Sequence, residues 1–291
     1  MSQLKPWPLV FSLFGALALS PSVSAQTPKP YPQAPSEISF DAASDRPQDG
    51  FGGKMGNAEE ADTSLWPATF NGRFTIGGQP FNCTATLIAP RVLLTAAHCI
   101  ADGGRVVLRR EKGSDAGTWS GRCDRAADGY PGVISADWAL CRMEQAVPAV
   151  RYERISLGQP NLSVDDGLRV AGFGCTEVGK PADGKFRIGA LRVAFLPGSF
   201  QGNPHWLVSH PGRQTGESFI CEGDSGGAAY ITQATGRRLI VAVNSHRDAE
   251  GQGISMLSVL WTPRGAAFIR DWAERHGELL CGEHANAQNC R

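Results

Sequence analysis

Residues 220–230 read ICEGDSGGAAY and seat Ser225 among three glycines, with Asp224 directly before it. Glycine is needed wherever a backbone turns tightly, so the stretch fits a plain turn as well as a reactive serine. A serine hydroxyl is a poor nucleophile at neutral pH and needs a base within hydrogen-bond reach. An imidazole, with a pKa of about 6.5, is largely neutral at pH 7 yet still accepts a proton. Two further stretches offer the companions: CTATLIAPRVLLTAAHC carries His98, and ADWALCRM carries Asp137. A carboxylate is what holds such a ring in one tautomer and one orientation. Each also has a plain reading, His98 as a residue ending a strand and Asp137 as a turn residue. Asp124 and Asp128 compete with Asp137 for the carboxylate role.

The elements that must position these residues read as β-strands. From Trp66 onward, short apolar runs are punctuated by Gly, Pro, Asn and Asp, as in TATLIA (84–89), RVLLTAA (91–97), LRVAGFG (168–174), GALRVAFL (189–196) and RRLIVAVNS (237–245). This pattern predicts an antiparallel all-β fold, a barrel or a sandwich. One helix stands apart: Thr262 as N-cap and Pro263 in the first turn open AAFIRDWAERHG, with Phe268 and Trp272 four apart on the packed face.

The bulk properties exclude several function classes. Twenty-eight Lys and Arg balance twenty-eight Asp and Glu, so no net field attracts nucleic acid or an anionic membrane. The basic run Arg105–Lys112 is interleaved with valines and a leucine and reads as a solvated strand face. Lys5, the apolar run Leu9–Leu19 and the small residues Val23-Ser24-Ala25 predict a signal peptide cleaved after Ala25. An exported chain with eight cysteines is expected to use them in disulfides. With no C-x-x-C pair and no H-E-x-x-H, neither a metal centre nor an organic cofactor is expected.

TAAHC, the D-W-A-L block and GDSGG, in that order, resemble the chymotrypsin-like (trypsin-fold) serine proteases over roughly residues 55–277. The resemblance implies two antiparallel six-stranded β-barrels with a C-terminal α-helix. It implies His98 as base, Asp137 as its orienting carboxylate and Ser225 as nucleophile, with the backbone N–H groups of Gly223 and Ser225 as oxyanion hole. It casts Asp224 as an activation switch that pairs with a newly freed amino terminus. The family's I-V-G-G start is missing here; counting back from Trp66-Pro67 places the new terminus at Met55, after Lys54, with Phe51-Gly52-Gly53 as the other candidate.

The resemblance also implies a Cys83–Cys99 bridge beside the histidine and, because the family's usual partner is missing, a Cys175–Cys221 bridge. It leaves Cys123–Cys141 and Cys281–Cys290 for the remaining four cysteines. The position that carries aspartate in trypsin-like enzymes is Phe219, which argues against cleavage after Lys or Arg. Ser245 and Arg247 stand where the family borders its substrate pocket; Arg247 replaces a glycine and would narrow the entrance, favour an acidic residue, or turn to solvent.

GDSGG also satisfies the G-x-S-x-G nucleophile elbow of α/β-hydrolases, with Asp248 and His276 downstream. That fold needs a helix directly after the serine, whereas GGAAYITQATGRRLIVAVNS reads as a hairpin. The expected organisation is a signal peptide (1–25), a Pro-rich linker or pro-segment (26–54), a protease domain (55–277) and a disulfide-closed tail (278–291). The expected function is a secreted, monomeric serine endopeptidase that meets protein or peptide substrates and protein inhibitors. The alternative is a catalytically silent binding protein on the same fold.

Overall fold

The computed structural model describes residues 56–291 except 77–78, 101–102, 112–115, 127–131 and 178. The expected signal peptide, the Pro-rich segment, the Lys54–Met55 cleavage point and Asp128 lie outside the described residues.

After the short β1 (Glu59–Glu60), six strands close a first barrel: β2 (Thr69–Ile76), β3 (Gln79–Ala89), β4 (Val92–Thr95), β5 (Gly104–Arg110), β6 (Gly117–Arg125) and β7 (Ala139–Met143). Closure runs through antiparallel pairing of β2 with β5, where Arg73 faces Val107. Every residue of β4 is buried, as its unbroken apolar run requires. In β5 the side chains alternate: Val106 and Leu108 enter the barrel while Arg105 and Arg109 face out. Arg105 and Arg109 thus form the exposed face of the strand, while Arg110, on the face of Val106 and Leu108, donates to Pro148 O at 2.9 Å.

The second barrel comprises β8 (Gly167–Gly172), β9 (Arg187–Phe195), β10 (Trp206–Ser209), β11 (Ala228–Thr232), β12 (Arg238–Arg247) and β13 (Ser255–Val259). Pairing of β8 with both β9 and β11 closes it, and β1 adds to the outer side of β9. β11 and β12 form the hairpin that follows Ser225, with Gly236 at φ 76° in its turn. Two-barrel antiparallel architecture is therefore what the chain adopts.

One apolar cluster joins the barrels, contributed by Ile88, Val92 and Leu94 from the first, Tyr230, Ile240 and Val243 from the second, and Trp138. The four-residue helix α1 (Gly212–Thr215) lies in the loop before the serine, and α2 (Pro263–His276) follows β13. Thr262 caps α2, accepting from the Gly265 N–H at 3.4 Å, and Gly277 ends it at φ 64°. Its buried stripe is Gly265, Ala266, Ile269, Trp272 and Ala273, with Phe268 half-buried at the margin. The four disulfides are Cys83–Cys99, Cys123–Cys141, Cys175–Cys221 and Cys281–Cys290. The last closes the tail, whose Cys281 N–H donates to Ile88 O at 2.9 Å. No helix among the described residues is long and apolar enough to cross a membrane.

Candidate active site

His98 sits in a single 3₁₀ turn, Ala97–Cys99, immediately after β4. Its neighbour Cys99 is bonded to Cys83 in β3, which pins the turn to the barrel wall. β7 pairs with β4 so that Ala139 faces Thr95, and this register brings Asp137, two residues before β7 begins, alongside His98. Asp137 Oδ2 lies 2.7 Å from His98 Nδ1, and Oδ1 accepts the His98 backbone N–H at 2.8 Å. Ser245 Oγ donates to Oδ2 at 2.6 Å.

Asp137 is fully buried. Burial alone would push its carboxyl up; the hydrogen bond from His98, that ring's charge and the Ser245 hydroxyl outweigh it and hold the pKa below the usual carboxylate range. An ionised carboxylate only accepts, so His98 Nδ1 must donate to it. In the neutral ring Nε2 is then the nitrogen with the lone pair.

Ser225 stands in the loop between Cys221 and β11, where the carbonyl groups face inward and are satisfied. Glu222 O accepts the Cys175 N–H at 2.8 Å, and Asp224 O accepts Gly227 N–H at 2.9 Å and Asn244 Nδ2 at 3.1 Å. In a trans peptide the N–H points opposite to its C=O, so the amides of Gly223 and Ser225 face the other way. Neither amide donates to a protein acceptor among the described residues. Gly223 reaches φ 99°, where a side chain would be strained. Thr84 fastens this loop to the first barrel: its N–H donates to Ser225 O at 2.9 Å and its hydroxyl to Gly223 O at 2.8 Å. Gly226 allows that approach, because a Cβ there would collide with Thr95 and with the Thr84 carbonyl.

Asp224 is buried below the loop, accepting N–H groups from Gly174 at 2.8 Å and Cys221 at 2.9 Å. Gly172 and Gly174 leave the space its carboxyl occupies. Burial pushes its pKa up to about 7 against the pull of those two N–H groups and of Arg187.

His98 and Ser225 line one cleft of about 340 Å³, together with Glu222, Ser245, His246 and Arg247. Arg247 neither faces solvent alone nor offers a spare charge to the cleft, since its guanidinium is 2.5 Å from Glu222 Oε1. Phe219 is buried, and its ring fills the space beside Gly56, Gly212 and Gly253; a Cβ at any of the three would press into the ring. Ser245 lines the cleft, but its hydroxyl is committed to Asp137.

The competing residues have other work. Asp124 accepts the Trp272 indole N–H at 2.9 Å and so anchors α2. Asp248 accepts three consecutive backbone N–H groups, from Gln252, Gly253 and Ile254, at 2.6–3.0 Å. His276 packs against Trp272 at a tilt of 42°, with ring centroids 4.3 Å apart.

Two site residues escaped sequence reasoning, Thr84 and His246. His246 Nδ1 is 2.7 Å from Ser245 Oγ and 3.8 Å from Asp137 Oδ2. A register shift between Asn244 and His246 makes Ser245 a bulged residue, so neighbouring side chains converge on one carboxylate where strict alternation would part them. His98, Asp137 and His246 place two imidazoles and a carboxylate close enough to share an ion, but a metal on these atoms would have to displace the Nδ1 proton by which His98 bonds Asp137. The other such groups among the described residues rely on cysteines already in disulfides.

A family model described as Trypsin matches residues 56–257. No curated protein matches the chain. Among solved structures, a mutant of human heparin binding protein (CAP37) is 22% identical, covering 75% of this chain and 94% of its own, with a TM-score of 0.56. An atomic-resolution structure of HBP is 20% identical, covering 77% of this chain and 98% of its own, with a TM-score of 0.57. At these identities the likeness is one of fold.

Proposed function

The chain belongs to the trypsin family, and from that premise we propose that it is a secreted serine endopeptidase acting through an acyl-enzyme on Ser225. The observation that carries this reading is the 2.7 Å contact of His98 Nδ1 with a buried, ionised Asp137, at the edge of the cleft that Ser225 also lines. His98 Nε2 takes the Ser225 hydroxyl proton as Oγ attacks the scissile carbonyl. The developing oxyanion is held by the N–H groups of Gly223 and Ser225, each worth about 3 kcal/mol in such a hole. The Nε2 proton then passes to the leaving amine, and the acyl group stays on Oγ. Water, deprotonated by the same nitrogen, releases the acid and returns the hydroxyl.

Asp224 supports a precursor form. Gly56, the first described residue, is buried, and its carbonyl accepts the Phe219 N–H at 3.2 Å. Ser218 Oγ donates to Asn57 O at 2.9 Å. The chain just after Lys54-Met55 is therefore anchored beside the loop that carries the serine. Cleavage after Lys54 would free an ammonium for Asp224, and a buried carboxylate gains most from such a partner. N-terminal sequencing of the active protein tests this; an active form beginning at Gln26 would refute it.

The substrates are proteins or peptides, and protein protease inhibitors are the matching partners. The buried phenyl of Phe219 supplies no counter-charge, so cleavage after Lys or Arg is not expected. The test is hydrolysis of a peptide library with acidic, aromatic, basic and small residues at the cleaved position. Turnover by processed protein and none by Ser225→Ala is the expected result. Tight binding of peptides without turnover would favour the silent binding protein instead.

A further inference from the structure

We infer that His246 is a positioning residue of the proton relay: it donates from Nδ1 to Ser245, which in turn donates to Asp137. The inference rests on the endopeptidase reading for its kinetic meaning, but its chemistry follows from proton counting. Ser245 Oγ is 2.6 Å from Asp137 Oδ2 and 2.7 Å from His246 Nδ1, and the hydroxyl has a single proton. An ionised carboxylate accepts and never donates, so that proton must lie toward Asp137. The short contact to His246 is then attractive only if Nδ1 carries a proton and the hydroxyl oxygen accepts it. His246 is thereby fixed in the Nδ1–H tautomer.

The surroundings agree. The pKa of His246 is held below the ordinary imidazole range, first by burial and then by the His98 charge, against the pull of Asp137. The neutral ring has one proton to place, and the contact with Ser245 calls for it at Nδ1. The ring is held on two sides, with centroids 5.3 Å from His98 and 5.6 Å from Trp206. The chain His246–Ser245–Asp137–His98 thus contains two imidazoles that approach one carboxylate, one directly and one through a hydroxyl.

A donor at Nδ1 keeps the Ser245 hydroxyl turned toward Asp137 and so fixes the carboxylate plane against which His98 is oriented. Losing it would lower the rate of Ser225 attack and leave ligand affinity nearly untouched. Asparagine places an amide N–H near the position of Nδ1 and should rescue; phenylalanine keeps the ring but lacks the donor.

The test uses a fluorophosphonate probe on the processed protein, with saturation analysis to separate the maximal labelling rate from the apparent affinity. His246→Phe is expected to label about tenfold more slowly at saturation, with affinity changed by less than about twofold. His246→Asn is expected to recover to within about threefold of the parent. A parallel measurement needs no activity: ¹⁵N NMR of the imidazoles in Ser225→Ala should show His246 protonated at Nδ1. An Nε2–H tautomer would overturn the inference, as would equal labelling rates for His246→Phe and the parent. If the parent itself does not label, the endopeptidase reading fails, and the tautomer alone decides the placement of the proton.

Discussion

Asp137 collects the His98 ring N–H, the His98 backbone N–H and the Ser245 hydroxyl while fully buried, so its role cannot pass to a neighbouring residue. Replacing it by asparagine offers His98 an amide N–H where an acceptor stood. The ring would then flip its tautomer and carry its proton on Nε2, the atom that must accept from Ser225. Asp137→Asn should lower kcat by about 10³–10⁴-fold with little change in KM. Unfolding curves should confirm that the variant remains folded; a loss below tenfold in a folded variant would remove Asp137 from the relay. In the sequence His98, Asp137 and Ser225 each also fit a plain local reading, and only TAAHC, D-W-A-L and GDSGG taken together and in order cast them as one relay, through a family resemblance. His246 was not legible, because its contact arises from the bulge at Ser245, and a bulge leaves no mark in a run such as VAVNSHR.

At the scale of elements, the strands were readable from their short apolar runs: β4 is buried throughout, whereas β5 alternates buried and exposed residues. β1 was not, since two exposed glutamates carry no pattern and their pairing is set by β9. Helix α2 was legible from its cap and its apolar spacing. Its stripe centres on Ile269 and Trp272, and Phe268 falls one position off that line. Trp272 is fully buried in the cluster that joins the barrels, and it bonds Asp124 at 2.9 Å. Trp272→Ala should cost about 3–5 kcal/mol of stability in urea unfolding. A loss under about 1 kcal/mol would show that the helix does not brace the barrels.

At the scale of the whole molecule, the activation switch proposed at Asp224 would link stability to processing. In the native chain burial raises its pKa to about 7, whereas an unfolded aspartate ionises near pH 4. Between these values the native state binds more protons than the unfolded state, so the Asp224 contribution to stability falls as pH rises from about 4 through 7. Relative to Asp224→Asn, the unprocessed protein should therefore lose melting temperature between pH 5 and 8. Processing that supplies an ammonium partner should flatten that relative loss. Parallel melting profiles for the unprocessed protein and Asp224→Asn would contradict the account of this carboxyl. The Cys175–Cys221 bridge belongs to the same scale, since it ties the glycine cradle of Asp224 to the loop that ends in Ser225. Its partner choice was legible only through a family resemblance, because eight cysteines in a sequence do not determine their own pairing.

The most direct measurement is covalent capture of Ser225 in the processed protein by a fluorophosphonate, with the adduct mapped by tandem mass spectrometry. One adduct on Ser225, absent from Ser225→Ala, is the predicted result. Processed, folded protein that forms no adduct, or an adduct that persists in Ser225→Ala, would contradict the claim that this chain is a serine endopeptidase.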